Sequence, residues 1–300
     1  MFNENINLWL QDKLQSDFFD RFVLIITQGG DEIFFMIVAV LFYLCIDKKF
    51  GARFIYGFIF ASFFNEMLKM IFRIPRPYEK GVQSIGGKTR GWSFPSGHSC
   101  ASAMIATPLA VRYGSKKRRW VWLIGAFFVL AIMFSRVYLG QHYVIDTVVG
   151  ALLGIGLAVG IHFLFKLMGD KEHIWPAVLI PVFIVLCCIL RDNTKLFIGT
   201  GTYCGIALGY FLDKKFIKYQ VKAKWWIHIL KLAAAFPVIA ALQFGIVPLF
   251  ENIETAVAVS VLSLSVYFSI TLWVSAGLPA LIMLAYRKCK YEPEKMTTDK

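Results

Sequence analysis

The sequence predicts an all-α membrane protein, a polytopic transmembrane bundle of about nine spans with its N-terminus outside and its C-terminus in the cytoplasm. Three observations carry that prediction. Of the 300 residues 58% are hydrophobic and 17% charged, more apolar side chain than one soluble core takes up. The apolar residues come in successive runs near the roughly 20 that a hydrocarbon core of about 30 Å demands of a helix. The basic residues cluster after some runs and not after others, which gives the chain two sides.

Taken in order, residues 1–20 carry a spaced apolar set, Ile6, Leu8, Trp9, Leu10, Leu14 and Phe18, without a basic start or a cleavable apolar stretch. They read as an interfacial amphipathic helix and not as a signal peptide. Spans are expected at 31–46, 52–72, 98–113, 120–136, 142–166, 174–190, 196–212, 226–249 and 257–286. The first is short, with room to extend back among Phe22 to Ile26. The last is overlong and should bend near Gly277 and Pro279. Gly150, Gly154, Gly156 and Gly160 in the fifth span, and Gly201, Gly205 and Gly209 in the seventh, have the small-residue spacing that lets helices approach closely. The six cysteines lie in or against spans, lack the spacing of a disulfide framework or metal site, and read as packing residues.

The net charge of +13 raises the question of nucleic acid, and the location of the charge answers it. Clusters follow the first span (Lys48, Lys49, Arg53), the third (Lys116, Lys117, Arg118, Arg119), the seventh (Lys214, Lys215, Lys218, Lys222, Lys224) and the last (Arg287, Lys288, Lys290). All map to one side, cytoplasmic by the positive-inside rule, so the charge reads as topology and attraction to anionic lipid, with no nucleic-acid partner. Trp120, Trp122, Trp175, Trp225 and Trp226 suit the interface there. Lys69, Arg73, Arg76, Lys80, Lys88, Arg90 and Arg136 map to the opposite side, where topology does not explain them.

Residues 69–99, KMIFRIPRPYEKGVQSIGGKTRGWSFPSGHS, join cations, a glycine-rich turn and a helix start. The backbone N–H groups at Ser96 and Gly97 open the small-residue helix Ser99 to Ala110 and suit an anion. Lys69 closes the second span, and Pro75 and Pro77 hold the following stretch extended, aiming Lys69 and Arg76 at one place. Across the loop Arg136 ends the fourth span. His142 and Asp146 stand four apart on one helix face, where the carboxylate can orient the imidazole. Together with His98 the set suits phosphoryl transfer, in which fixed cations neutralise the equatorial oxygens without a metal or other cofactor.

Lys69-x6-Arg76-Pro77, Pro95-Ser96-Gly97-His98 and Ser135-Arg136-x5-His142-x3-Asp146 resemble the three signature motifs of the type 2 phosphatidic acid phosphatase family, matching in order at all eleven specified positions. The resemblance implies that His142 attacks phosphorus, Asp146 supports it, and His98 protonates the leaving group. It implies that Lys69, Arg76, Arg136, Ser96 and Gly97 hold the phosphate. The family's helical core then covers residues 21–190, with 191–300 as additional transmembrane helices of unknown role. The nine-span, N-outside layout looks more like glucose-6-phosphatase and the sphingoid-phosphate phosphatases than the six-span relatives.

The implied function is metal-independent hydrolysis of a lipid phosphate or diphosphate through a phosphohistidine, at the extracytoplasmic face of a bacterial plasma membrane. The partners are the lipid substrate and membrane lipids. A sugar-phosphate phosphatase and a lipid phosphotransferase are the alternatives within the same chemistry, and a transporter is the alternative outside it. Asn65 and Glu66 stay outside the expected site. Arg73, Lys80, Lys88 and Arg90 are as compatible with headgroup contact as with solvation of the loop.

Overall fold

The computed structural model describes residues 2–191, 193–289 and 291, and the regular secondary structure among them is helical. The helices are α1 (Asn5–Leu14), α2 (Asp17–Thr27), α3 (Glu32–Leu41), α4 (Lys48–Phe72), α5 (Gly97–Tyr113), α6 (Trp120–Tyr138), α7 (Val144–Met168), α8 (Ile180–Ile189), α9 (Thr194–Leu212), α10 (Trp225–Ala240), α11 (Ala256–Leu272) and α12 (Leu278–Lys288). Each predicted span is mostly helical, but fewer are long and apolar enough to cross a membrane. Among the described residues five qualify, at 48–80, 120–138, 144–171, 225–250 and 256–288. The pair α2–α3, bent by 51°, makes a sixth when counted as one span. The overlong last segment carries a π-helical turn, Trp273–Gly277, directly before Pro279, where a bend was predicted.

α5 falls short for a physical reason. Its 17 residues rise only about 25 Å at 1.5 Å each. Its buried side chains, Ser99, Cys100, Ala101, Ser102, Ala103, Ala106 and Ala110 among them, are small and partly polar.

The chain divides into two compact units, Met1–Ile37 with Phe60–Leu164, and Val38–Ile59 with Phe165–Lys300. In the first, α5 is the hub. Ala103 and Ala106 pack with Val129 of α6 and Ala151 of α7, and Cys100 and Met104 pack with Ala61 of α4 and Ala158 of α7. Short side chains on the hub let three helices close around it. Contact is tightest where α7 passes the start of α5: a Cβ on Gly150 would lie 2.4 Å from the Ser96 carbonyl oxygen, so only glycine permits the approach.

α1 belongs to this unit with its polar face inward. Asn7 Nδ2 donates to the carbonyls of Val137 (2.7 Å) and His142 (3.0 Å), and Gln11 Nε2 donates to those of Tyr138 and Gln83, each at 2.9 Å. Ile6, Leu8, Trp9 and Leu14 point outward, while Leu10 is buried. That polarity is the reverse of a soluble helix and fits a surface covered by lipid.

In the second unit Gly201, Gly205 and Gly209 of α9 lie against α11 and the turn after it, facing Leu264, Thr271 and Ser275. Basic residues anticipated only as topological signals have specific partners here. Glu172 accepts from Arg53 Nη2 at 2.6 Å and from the Tyr210 hydroxyl at 2.9 Å, and Asp213 pairs with Lys48 at 2.5 Å. Lys290 lies outside the described residues. All six cysteines are free. Cys100 and Cys187 are buried as packing residues should be, whereas Cys188 and Cys289 are exposed, which corrects that expectation for these two.

Candidate active site

The corner between α6 and α7 builds the centre of the site. The chain leaves α6 at Tyr138, turns, and re-enters helix at Val144. His142 therefore precedes α7 instead of standing on its face. The pairing with Asp146 survives because Asp146 caps the helix start: its Oδ2 accepts the Tyr143 N–H at 2.9 Å and lies 3.4 Å from His142 Nδ1. Ser93 completes this corner from the loop before α5. Its hydroxyl donates to the same Asp146 oxygen at 2.5 Å and lies 3.4 Å from His142 Nδ1.

Ser93 was absent from the predicted set, since no motif position marks it. The imidazole is buried. Burial first, then the charges of Arg76, Arg136 and Lys69, push its pKa well below 6.5, so it is neutral at physiological pH. With Nδ1 carrying the proton toward Asp146, Nε2 presents its lone pair, and Arg76 Nη1 sits 3.3 Å away.

The three expected cations behave differently. Arg76 is almost fully buried, and each of its five N–H groups has an acceptor. Nε reaches the Gly91 carbonyl at 2.7 Å, Nη1 reaches Gln141 O at 3.0 Å and His142 Nε2, and Nη2 reaches the carbonyls of Arg90 and Trp92. It ties the loop to the corner as well as placing charge beside the imidazole. Arg136 is the open one: Nη1 donates to Thr27 Oγ1 at 3.0 Å, while Nε and Nη2, both buried, find no protein acceptor. A buried guanidinium with two unsatisfied groups is costly unless an anion meets it. Lys69 reaches the start of α5, where a Cβ on Gly97 would lie 3.8 Å from its Nζ.

The expected backbone donors need one correction. Ser96 N–H donates to the Asp146 carbonyl at 2.9 Å, because the close passage of α7 places that acceptor over it. The Ser96 hydroxyl caps α5, accepting from Ser99 N (3.4 Å) and Ser99 Oγ (3.1 Å), which leaves its own O–H to donate. Gly97 and His98, the first two residues of α5, keep N–H groups that the helix's own carbonyls cannot reach. Asn65, set aside at first, is buried beside Lys69 and Gly97 with Nδ2 unpartnered. Glu66 lies 4.0 Å from Lys69 Nζ. Among the described residues no group of three or more His, Cys, Asp or Glu is arranged to hold a metal ion.

Residues 50–172, which include every one of these motif positions, match the family model described as the PAP2 superfamily. Residues 197–287 match a second, the PAP2 superfamily phosphatase transmembrane extension. The chain belongs to the PAP2 superfamily. The extension accounts for a stretch of the C-terminal third in which no motif was legible. Among curated PAP2-like relatives, an undecaprenyl-diphosphatase of Sulfolobus acidocaldarius is 27% identical over 42% of this chain and 60% of its own length. Phosphatidylglycerophosphatase B of Bacillus subtilis is 36% identical over 27% of this chain and 40% of its own. Sphingosine-1-phosphate phosphatase 1 of Rattus norvegicus is 24% identical over 61% of this chain and 46% of its own. The chain thus spans no more than about three fifths of the length of these relatives.

Proposed function

We propose that this PAP2 member is a membrane phosphatase that hydrolyses a lipid phosphate or diphosphate through a phosphohistidine on His142. The observation that carries the reading is the row Asp146–His142–Arg76, with the imidazole neutral and its Nε2 lone pair facing Arg76 Nη1, beside the unsatisfied N–H groups of Arg136. In the first step Nε2 bonds to phosphorus as the P–O bond to the leaving group breaks, an ester bond in a monophosphate and an anhydride bond in a diphosphate, and the departing oxygen takes its electron pair and a proton from His98. Positive charge left on the imidazole is balanced by Asp146. Arg76 Nη1, no longer resting on the Nε2 lone pair, becomes available to an equatorial oxygen, joining Arg136, Lys69, the Ser96 hydroxyl and Gly97 N–H. In the second step water attacks phosphorus, gives a proton to His98, and the P–N bond breaks, releasing phosphate and regenerating both histidines.

The relatives named above are called after lipid phosphates or diphosphates, which favours that substrate class. The site's residues stand at the ends of α4 and α6 and the start of α7, which the topology read here puts near headgroup depth and which favours it too. We read the chain as crossing nine times with its N-terminus outside and the site extracytoplasmic, in a bacterial plasma membrane. In this reading α5 is a crossing that protein surrounds, so it needs little apolar surface of its own.

The deciding experiment assays the purified protein for inorganic phosphate release from a panel of lipid phosphates, lipid diphosphates and glucose 6-phosphate. Wild type should act on a lipid and His142→Ala on none. Preference for the sugar phosphate, transfer to a lipid acceptor without phosphate release, or solute flux that survives His142→Ala would each replace this reading with another.

A further inference from the structure

We infer that Asp31 is the positioning carboxylate of His98, so that the site holds a second histidine–carboxylate pair on its leaving-group side. The inference rests on the proposed acid role of His98. The first apolar segment breaks between α2 and α3 with a 51° bend that the motifs do not explain. The break, Gln28–Gly30 followed by Asp31, is packed directly on His98. A Cβ on Gly30 would lie 3.0 Å from both His98 Cβ and the His98 carbonyl oxygen, and 2.9 Å from Ile132 Cγ2. A side chain here would push against His98 and Ile132, so glycine suits the close approach. One turn earlier, Thr27 accepts the Arg136 N–H at 3.0 Å. The break therefore supplies one side chain to Arg136 and another to His98.

Asp31 has an ordinary structural duty, and that duty aims it. Its Oδ1 accepts Ile33 N–H at 2.9 Å and its main-chain oxygen accepts Phe35 N–H at 3.1 Å, so it caps α3. The cap uses one carboxylate oxygen and fixes the plane of the group. The second, Oδ2, lies 4.0 Å from His98 Nε2, a separation of the kind that closes to a hydrogen bond when a catalytic complex forms. Held there, the carboxylate accepts from Nε2–H, which leaves Nδ1 to carry the proton that goes to the leaving oxygen. After transfer, Nε2–H still faces Asp31 and Nδ1 carries the lone pair that takes the proton of the attacking water. The two histidines are then tuned oppositely: His142 sits among cations with its carboxylate on Nδ1, and His98 faces a carboxylate through Nε2.

The test uses Asp31→Asn in the full-length protein, because asparagine caps a helix about as well as aspartate and removes only the charge. In single-turnover assays, phosphohistidine formation from the best lipid phosphate, whose alkoxide needs a proton to leave, should slow about tenfold or more. Formation from p-nitrophenyl phosphate, whose leaving group needs little protonation, should stay within about twofold, hydrolysis of the phosphohistidine being common to both substrates, and Asp31→Glu should recover part of the lipid rate. His98→Ala should show the same split more strongly. Equal losses on both substrates, or none, in Asp31→Asn while His98→Ala keeps its split would overturn the role of Asp31 alone. A His98→Ala enzyme that does not discriminate between leaving groups would remove the acid role of His98 and that of Asp31 with it.

Discussion

Ser93 shows how a single hydroxyl can bear on the nucleophile without touching substrate. It donates to Asp146 Oδ2 and lies against His142 Nδ1, so it helps set both the carboxylate and the tautomer. A hydrogen bond to a charged group contributes about 1.5–3 kcal/mol. Ser93→Ala should accordingly lower kcat by about tenfold or more with little change in KM, as steady-state phosphate release would show. His142 yields a second prediction. Its pKa is held well below 6.5 in the folded protein, so an unfolded chain binds a proton near pH 6.5 that the native site refuses. Stability from this group is present above pH 6.5 and declines as pH falls toward the native value. Imidazole nitrogen NMR should find His142 neutral at pH 6, and Arg76→Gln should move its titration upward, since a cation that lowers it is gone. A protonated ring at pH 6.5 would contradict the environment described here.

At the scale of the element, α1 and α5 are held by contacts that their compositions do not announce. Residues 5–14 contain an apolar set that reads as a helix lying on a membrane, but it is Asn7 and Gln11 that dock it, by grasping carbonyls of the α6–α7 corner. Asn7→Ala removes two buried hydrogen bonds, one of them to the carbonyl of His142 itself. Its main effect should be a loss of activity of about tenfold, from a loosened nucleophile, with a destabilisation of about 1–2 kcal/mol. A thermal melt beside a kinetic assay separates the two, and full activity in Asn7→Ala would mean that the corner holds its shape without α1. α5, at 17 residues short for a span, is the small-residue hub of its unit. The same packing explains why Ser96 N–H is directed at Asp146 O and not at substrate.

At the scale of the whole molecule, the proposed topology makes a test that needs no substrate. In a variant lacking the exposed Cys188 and Cys289, a membrane-impermeant maleimide applied to intact cells should label Lys88→Cys in the motif loop and leave Lys117→Cys unlabelled until the membrane is opened. The opposite pattern would turn the site to the cytoplasm. The places of the helices and the three motifs were legible in the chain alone, because hydropathy and i, i+4 spacing are properties of near neighbours. Tertiary structure alone decided how each arginine is met: Arg76 finds carbonyls and His142 Nε2, whereas two N–H-bearing atoms of Arg136 find no protein acceptor. It also decided that Ser93, Asn7 and Asp31 surround the two histidines. Those residues join partners 49 to 135 positions away in sequence, through hydrogen bonds and charge that carry no period, and only the closing of helices around α5 brings them together.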